Sequence, residues 1–380
     1  MIKFKGNTLE GKSVEVTIES GLIKTIKDIN WDPTLLTIAP GLVDIQINGY
    51  KSHDFNAAPL SETDWEHVIQ ELLNIGVTTF YPTVITNSIE RLNYIFQENV
   101  DVLSKRPDLV KHIGGFHLEG PFLSLEDGPR GAHEKSFIKK PDYEEFLSLQ
   151  KSAKKMIKII TMSPEWEGSD AFIRSVVADG VKVAIGHTSA NTTQIRNAVE
   201  SGASISTHLG NGAHVLMKRH PNYIWDQLAE DALWTSVIAD GNHLPENVIK
   251  VMKRVKGKKL ILVSDSVALA GMPAGKYQAS VGGSVTLTES GRLQLSDQPE
   301  LLAGSAQNLL QGIEFLVKNN IDTLDEAIRR SSIFPAKFMG LEFEGLKVGA
   351  KADLVLLNTS GTVFEVEVVF KEGILRKGEF

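Results

Sequence analysis

Eight short apolar runs, separated by segments with helical patterning, constrain the fold of this chain more than any other feature of its sequence. Runs that are apolar at successive positions are typical of parallel strands, because both faces of such strands are buried. Between most runs, apolar residues recur at helical spacing, as with Trp65, Val68 and Leu72 after the capping-box pattern of residues 61–64. The runs span residues 42–48, 77–83, 112–119, 156–164, 181–187, 203–208, 235–240 and 260–265.

Eight strand–helix repeats predict an α/β fold, a (β/α)8 barrel of the TIM type. A doubly wound open sheet has the same succession of elements, because strand order cannot be read from one sequence. Against that alternative, no Gly-x-Gly-x-x-Gly pattern follows the first run and the chain has no phosphate-loop motif.

The two ends of the chain have a different pattern, with short strand-like segments separated by glycine. Residues 1–39 and 343–380 therefore predict a small β-sandwich domain that is formed by both chain termini. Residues 40–342 would form the barrel. Within that range, residues 271–300 predict a β-hairpin inserted after the eighth run.

The composition excludes several classes of protein. None of the 380 residues is Cys, which excludes disulfides, thiolate metal ligands and a cysteine nucleophile. The formal net charge is −7 and no basic block occurs, so we expect no nucleic-acid partner. No apolar stretch approaches the ~20 residues of a membrane span, and the first residues do not resemble a signal peptide. We therefore expect a cytoplasmic protein that has no membrane partner.

Polar residues close most of the runs, and in a barrel the carboxyl ends of the strands open on the face where active sites lie. Glu119, His187 and His208 end the third, fifth and sixth runs. Two imidazoles and one carboxylate are a typical ligand set for a catalytic Zn²⁺, whose bound water has a pKa near ~7. Fe²⁺, Mn²⁺ and Co²⁺ accept the same ligands. Each histidine could instead be a hydrogen-bonded residue of the barrel wall, but three candidates at strand ends favour a metal site.

Other residues have one chemical and one structural interpretation each. Asp265 ends the eighth run, where it could exchange a proton with water or could cap the next segment. His133 lies in a glycine-rich loop, where it could polarise a carbonyl or be an ordinary loop residue. Arg219 and His243 could bind an anion, although a solvated charge is the default for Arg219. The backbone around Gly304 could face a ligand or form a plain helix cap.

Seven stretches of the chain resemble the N-acetylglucosamine-6-phosphate deacetylases of the amidohydrolase superfamily. A further stretch, residues 349–355 (GAKADLV), matches the closing β segment of that superfamily. The resemblance covers essentially the whole chain, and the HLEGP pattern is specific to this group. The seven stretches are residues 39–49 (APGLVDIQING), 115–122 (GFHLEGPF), 185–188 (IGHT), 207–211 (THLGN), 238–243 (IADGNH), 263–265 (VSD) and 302–305 (LAGS).

The resemblance implies hydrolysis of N-acetyl-D-glucosamine 6-phosphate to D-glucosamine 6-phosphate and acetate. It implies one divalent metal ion per subunit on Glu119, His187 and His208, with Asp265 as general acid/base and His133 beside the acetamide carbonyl. It also implies a homodimer in which an arginine of one subunit reaches the neighbouring site. The sugar and phosphate contacts of the family fall on Ala132, His133, Asn211, Gly212, Arg219, His243 and the backbone of Leu302, Ala303 and Gly304.

Three places depart from the family pattern. Gln46-x-Asn48 replaces a His-x-His motif, which indicates a one-metal member because amides are poor ligands for a second transition metal. Residues 211–214 read Asn-Gly-Ala-His instead of Asn-Ala-Met, and residues 50–53 replace a glycine-rich stretch. These loop changes leave N-acetylgalactosamine 6-phosphate or another acylamino sugar open as the substrate. A cyclic-amide hydrolase or deaminase on the same barrel, and an inactive scaffold without metal, are further alternatives.

Overall fold

The computed structural model describes residues 1–57, 59–279, 282–361 and 363–379. Over these residues the chain forms twenty strands, eleven α-helices and two short 3₁₀ helices, Lys135–Phe137 and Gly257–Lys259. In chain order the strands are β1 (Ile2–Thr8), β2 (Ser13–Glu19), β3 (Leu22–Asp28), β4 (Thr37–Pro40), β5 (Leu42–Ile47), β6 (Gly49–Tyr50), β7 (His53–Asp54), β8 (Val77–Ile85), β9 (Phe116–Glu119), β10 (Ile157–Met162), β11 (Lys182–Ile185), β12 (Ile205–Ser206), β13 (Trp234–Val237), β14 (Leu260–Leu262), β15 (Gly275–Ala279), β16 (Gly283–Leu287), β17 (Leu293–Leu295), β18 (Leu354–Asn358), β19 (Glu365–Lys371) and β20 (Ile374–Lys377). The helices are α1 (Glu62–Asn74), α2 (Ile89–Leu103), α3 (Pro107–Val110), α4 (Tyr143–Ser152), α5 (Ser169–Ala178), α6 (Thr192–Glu200), α7 (Tyr223–Ala229), α8 (Glu246–Lys256), α9 (Leu309–Lys318), α10 (Leu324–Arg330) and α11 (Ile333–Met339).

The barrel sheet runs β5-β8-β9-β10-β11-β12-β13-β14, so that among the described residues each predicted apolar run supplies one of its eight strands. The seam between the last and the first strand is closed by backbone hydrogen bonds at and just beyond their carboxyl ends. The Asp265 amide donates to the Gln46 carbonyl (2.9 Å), and the Asn48 amide donates to the Ser266 carbonyl (2.8 Å). The predicted barrel is therefore confirmed, and the doubly wound alternative is excluded.

Burial on both faces of the strands explains why the runs are continuously apolar. In β5, Val43 and Ile45 belong to one hydrophobic cluster, which includes inward residues of other barrel strands. Leu42 and Ile47 of the same strand belong to the large cluster that contains the buried residues of the helices. Side chains alternate between the two faces of a strand, so a strand with two buried faces needs apolar residues at most positions.

Helix α1 illustrates how local sequence positions the outer layer. The Ser61 hydroxyl accepts a hydrogen bond from the Asp64 amide (3.2 Å), which is the predicted capping box. Trp65 is fully buried, and its ring stacks on Phe55 with ring centroids 5.4 Å apart. The capped start and the buried stripe together fix the helix against the barrel.

Both chain termini contribute to one sheet, which lies apart from the barrel strands. Its described strands have the order β20-β19-β18-β4-β1-β2-β3. Strand β4 joins the two ends, because it pairs in parallel with β1 and antiparallel with β18. Phe4 and Phe370 stack within the core of this sheet, with ring centroids 5.2 Å apart. The division of the chain into domains at residues 39 and 343 stays a prediction.

The predicted insertion at residues 271–300 contains a small antiparallel sheet of the described strands β15, β16 and β17. Ser280 and Val281, between β15 and β16, lie outside the described residues. The Ala303 amide donates to the Leu293 carbonyl of β17 (3.1 Å). The insertion therefore packs against the segment that follows it in the chain. Among the described helices, none is long and apolar enough to cross a membrane.

Lys371 of β19 links the terminal sheet to the barrel. Its ammonium donates to Asp353 (2.8 Å) and to the Thr79 hydroxyl of β8 (2.9 Å), and the charged pair is about 5% exposed.

We expect Lys371→Ala to lower the free energy of unfolding by about 3–5 kcal/mol, because Asp353 would stay buried without its counter-charge. Urea unfolding measures this change. Lys347→Ala, which removes an exposed pair with Glu344, should cost less than about 1 kcal/mol. Equal losses in both variants would contradict the argument.

Candidate metal centre

The residues predicted to carry the chemistry meet at the carboxyl ends of the barrel strands. Glu119 is the last residue of β9, whereas His187, His208 and Asp265 follow β11, β12 and β14 by two or three positions. These three have positive φ angles of 50°, 27° and 46°. Such backbone is disfavoured for residues with a Cβ and costs on the order of 1–3 kcal/mol each. The surrounding structure must stabilise this strain, which is common at functional sites.

The three predicted metal ligands form a compact cluster. Glu119 Oε1 lies 3.3 Å from His187 Nε2 and 3.1 Å from His208 Nε2. The two Nε2 atoms are 3.1 Å apart. All three side chains are buried. The fold therefore brings together donor atoms from three different strands.

This donor set fits a divalent ion. Zn–N bonds of about 2.0–2.1 Å in a tetrahedral site place neighbouring ligand atoms roughly 3.3 Å apart. His187 Nδ1 lies 2.9 Å from the Pro129 carbonyl, which can only accept, so the ring proton is on Nδ1 and Nε2 has a free lone pair. The corresponding Nδ1 of His208 is buried without a hydrogen-bond partner among the described residues. A lone pair and a carboxylate that face each other at these distances require a proton or a cation between them.

The electrostatics of the cluster favour the same conclusion. Burial alone would raise the pKa of Glu119, but the neighbouring His187 and His208 imidazoles hold this pKa well below its usual range. Burial also opposes a charged His208, yet Glu119 raises the pKa of His208 to about 9. Glu119 is therefore ionised and favours positive charge beside it. A divalent ion would supply that charge.

His133 is a fourth donor beside the cluster. Its Nε2 lies 3.3 Å from His187 Nε2, and its Nδ1 lies 2.9 Å from the Thr86 hydroxyl. Burial lowers the pKa of His133 to about 3, so the ring is neutral. Glu119, His133 and His187 thus form a second possible metal triad. It shares two members with the predicted triad and differs in the third histidine.

Two amide side chains at the end of β5 orient the carboxylates of the site. Gln46 Nε2 donates to Glu119 Oε1 (3.0 Å), and Asn48 Nδ2 donates to Asp265 Oδ1 (2.7 Å). Burial raises the pKa of Asp265 to about 6, and the negative charge of Glu119 adds to this shift. The amides that replace a His-x-His motif therefore serve as hydrogen-bond donors to Glu119 and Asp265.

Two of the predicted sugar-binding residues lie directly against the cluster. Gly212 has a φ of 56°, and a Cβ at this position would be 2.7 Å from Nδ1 of His187. Glycine is therefore required there for both conformation and space. The Nδ2 atom of Asn211 is buried without a hydrogen-bond partner among the residues that the structure describes. This free donor is available to a ligand.

The other predicted substrate contacts on side chains are more scattered. His243 lies beyond β13, where its Nδ1 is 2.7 Å from Asp240 Oδ2. Arg219 and Ala132 are exposed. No described residue forms a hydrogen bond or ion pair with the Arg219 guanidinium. The chain as a single copy therefore places His243 in a defined setting and leaves Arg219 in solvent.

The backbone from Leu302 to Gly304 is held by its neighbours. The Ala303 amide already donates to the Leu293 carbonyl, so this amide is occupied. Gly304 has a φ of 102°, and a Cβ there would be 2.9 Å from Val267. Among the described residues, the backbone amides of Leu302 and Gly304 have no hydrogen-bond acceptor.

Two residues of the site gave no signal in the sequence. Thr86 follows β8 and contacts His133, but a single threonine in a loop has no recognisable pattern. Pro129 acts through its backbone carbonyl, which every residue has. Gln46 and Asn48 did have a signal, because both lie at the polar end of an apolar run.

Comparison with known proteins gives matches along most of the chain. The model of the Amidohydrolase family matches residues 37–375. An N-acetylglucosamine-6-phosphate deacetylase from Caenorhabditis elegans is 31% identical over 356 residues, which cover 90% of this chain and 83% of that protein. Among solved structures, one similar protein is a mutant N-acetyl-D-glucosamine-6-phosphate deacetylase from Mycobacterium smegmatis in complex with N-acetyl-D-glucosamine-6-phosphate. The two structures superpose with a TM-score of 0.84 at 26% sequence identity, over 96% of this chain and 95% of that chain. The N-acetylglucosamine-6-phosphate deacetylase from Thermotoga maritima has the same TM-score and identity over 99% of both chains.

The two possible triads differ in one histidine, and metal content distinguishes them. We expect Zn²⁺-loaded wild-type protein to retain about one ion per chain after desalting. His208→Asn should lose most of it, because the more compact triad would be broken, whereas His133→Asn should retain it. Elemental analysis measures the ion, and circular dichroism confirms that each variant is folded. Retention in His208→Asn with loss in His133→Asn would assign the ion to the other triad.

Proposed function

This chain belongs to the amidohydrolase family, and we propose that it is a hydrolase that deacetylates N-acetyl-D-glucosamine 6-phosphate. The products are D-glucosamine 6-phosphate and acetate. The observation that carries this proposal is the buried cluster of Glu119, His187 and His208, with donor atoms within 3.3 Å of each other at the barrel mouth. Proteins named as deacetylases of this sugar phosphate, similar over nearly the whole chain, support the choice of substrate.

The family is metal-dependent, and the distances within the buried cluster support one divalent ion per subunit on Glu119, His187 and His208. We propose Zn²⁺, with Fe²⁺, Mn²⁺ and Co²⁺ as alternatives that accept the same ligands. Such an ion supplies Lewis acidity, which makes a water nucleophilic at neutral pH and polarises the acetamide carbonyl. Gln46 would keep the Glu119 carboxylate oriented for this purpose.

Asp265 is proposed to transfer the proton. Asn48 hydrogen-bonds Oδ1 of this carboxylate, so Oδ2 is the atom that would accept the proton of the attacking water. Asp265 would then return that proton to the sugar nitrogen as the C–N bond breaks. An amine leaves far more readily than its anion, so this second transfer is required for hydrolysis.

His133 is proposed to stabilise the negative charge that develops on the carbonyl oxygen. The Thr86 hydroxyl lies 2.9 Å from Nδ1 of the neutral ring and 3.4 Å from the Glu119 carbonyl. When this hydroxyl donates to Nδ1, the ring proton of His133 is on Nε2. That N–H would then donate to the acetamide oxygen in the transition state. Loss of one donor of this type lowers turnover by about 10²–10³-fold in other hydrolases.

The remaining predicted contacts are proposed to hold the sugar and its phosphate. Asn211, Gly212 and His243 lie at the mouth, and the Arg219 guanidinium suits a phosphate.

We propose that the protein forms a homodimer, in which Arg219 of one subunit reaches the site of the other subunit. The neighbouring Val215 and Leu216 are more than 90% exposed, and a second copy would cover them. Sedimentation velocity tests the dimer.

A cytoplasmic location is proposed because a charged sugar phosphate does not cross membranes freely.

The reaction can be tested by acetate release from the Zn²⁺-loaded protein. We expect rapid release from N-acetyl-D-glucosamine 6-phosphate and at least tenfold slower release from unphosphorylated N-acetylglucosamine, because the phosphate contacts would be lost. N-acetylgalactosamine 6-phosphate, tested in the same assay, distinguishes the epimer. Faster release from the galactose epimer would change the substrate, and no release from any acylamino sugar by metal-loaded protein would contradict the proposed function.

The role of Asp265 can be tested by substitution with an amide of the same size. We expect Asp265→Asn to lower kcat by about 10²–10⁴-fold, because asparagine cannot accept and return a proton. Steady-state kinetics measures kcat, and elemental analysis should show an unchanged metal content. Asp231→Asn, at an exposed position, is the matched control and should keep full activity. Near-wild-type turnover by metal-loaded Asp265→Asn would exclude this residue as the general acid/base.

A further inference from the structure

Two loops at the barrel mouth carry residues that the proposed function assigns to the substrate. The β9 loop, residues 120–134, follows strand β9 and carries His133. The β12 loop, residues 207–222, follows strand β12 and carries Asn211 and Gly212. The position of one loop relative to the other therefore decides whether these residues can act on one substrate molecule.

Three side chains connect the two loops, and we name them the loop clasp. His214 of the β12 loop places its Nε2 3.0 Å from Oε2 of Glu126 in the β9 loop. On the other side of the ring, its Nδ1 lies 3.0 Å from the hydroxyl of Tyr223, the first residue of α7. Tyr223 is buried, whereas the His214 and Glu126 side chains are 28% and 61% exposed. The clasp thus extends from the core to the surface.

The hydrogen bonds of the clasp are consistent with one neutral arrangement of its protons. The backbone amide of His214 donates to the Tyr223 hydroxyl (2.8 Å), which in turn can donate its own proton to Nδ1. The ring proton is then on Nε2, from where it is donated to the Glu126 carboxylate. In this arrangement a neutral imidazole satisfies every group, so the three side chains form one continuous relay of hydrogen bonds.

Close backbone packing makes the loops depend on each other. A Cβ on Gly128 would be 3.0 Å from the Cα of His214, so the β9 loop touches the β12 loop directly below the clasp. Pro129 accepts a hydrogen bond from His187, and a Cβ on Gly212 would be 3.1 Å from the Pro129 carbonyl. Both loops therefore pack against the His187 ring, so the position of one loop restricts that of the other.

We propose that the loop clasp holds the β9 and β12 loops together over the substrate and that His214 is a positioning residue for substrate binding. This inference rests on the proposed function. The resembling family usually reads Asn-Ala-Met where residues 211–214 of this chain read Asn-Gly-Ala-His, so His214 lies in a stretch that departs from the family pattern. The contact with Glu126 is made from within this divergent stretch.

Loss of the clasp should affect binding more than turnover. Glu119, His187 and Asp265 lie outside both loops, His208 lies within two residues of strand β12, and His133 keeps its own contact with Thr86. Asn211 and Gly212 lie nearer to His214 on the β12 loop. We expect His214→Met to raise KM about fivefold with kcat within about twofold of wild type, because the lost hydrogen bond is partly exposed to solvent and contributes no more than an ordinary one. His214→Gln keeps an N–H donor and should restore part of the lost affinity.

A double-mutant cycle tests whether Glu126 and His214 act as a unit. Glu126→Ala and His214→Met should each raise KM, and the combined variant should be little worse than either one. Glu144→Ala, at an exposed position of α4, is the matched control for Glu126 and should have no effect. Additive effects in the double variant would show that the two residues act separately and would overturn the proposal.

Tryptic cleavage measures the loops without relying on activity. Lys218 and Arg219 are exposed in the β12 loop, so trypsin can cleave there when the loop detaches. We expect His214→Met to be cut at this loop about fivefold faster than wild type. Unchanged KM and cleavage would overturn the proposal, as would an equal loss of kcat with a lower Tm. If wild-type protein released no acetate, the proposed function would fail, and the cleavage rates would still decide whether the clasp holds the loops.

Discussion

The hydrogen-bonded seam between β14 and β5 is the constraint on which the site depends. The same short segments that close the barrel through their backbone also carry Gln46, Asn48 and Asp265. Closure therefore brings the Asn48 amide to Asp265 and the Gln46 amide to Glu119 on β9. Folding of the barrel and orientation of the two carboxylates are thus a single event, because one set of backbone contacts produces both.

Burial of charge explains why the centre needs support from several directions. A carboxylate removed from water is unfavourable unless donors or cations surround it, and Glu119 has an amide and two imidazoles at 3.0–3.3 Å. The positive φ angles of His187, His208 and Asp265 show that the backbone is strained to bring these groups into place. The fully packed strands below them provide the rigidity that holds such strain.

The sequence predicted the barrel and the metal cluster because both follow from a local pattern. Each strand is an uninterrupted apolar run, and Glu119, His187, His208 and Asp265 each lie at the end of such a run. The contacts of Thr86 and of His214 could not be predicted in this way. His214 and Glu126 are 88 positions apart on different loops, so their meeting depends on loop conformation that no periodicity encodes. The limits of the domains, which depend on independent folding, also stay a prediction.

The pairing of β4 with β18 has a consequence for how the chain is made. Pro40 lies opposite Leu354 in this pair, so the two strands are joined across almost the whole sequence. The edge of strand β4 that pairs with β18 stays unpaired until the ribosome has synthesised residues 354–358. Contacts so distant in sequence form late, and exposed edges favour association with other chains. The nascent chain therefore exposes an unpaired strand edge through most of its synthesis, and molecular chaperones can bind at that edge.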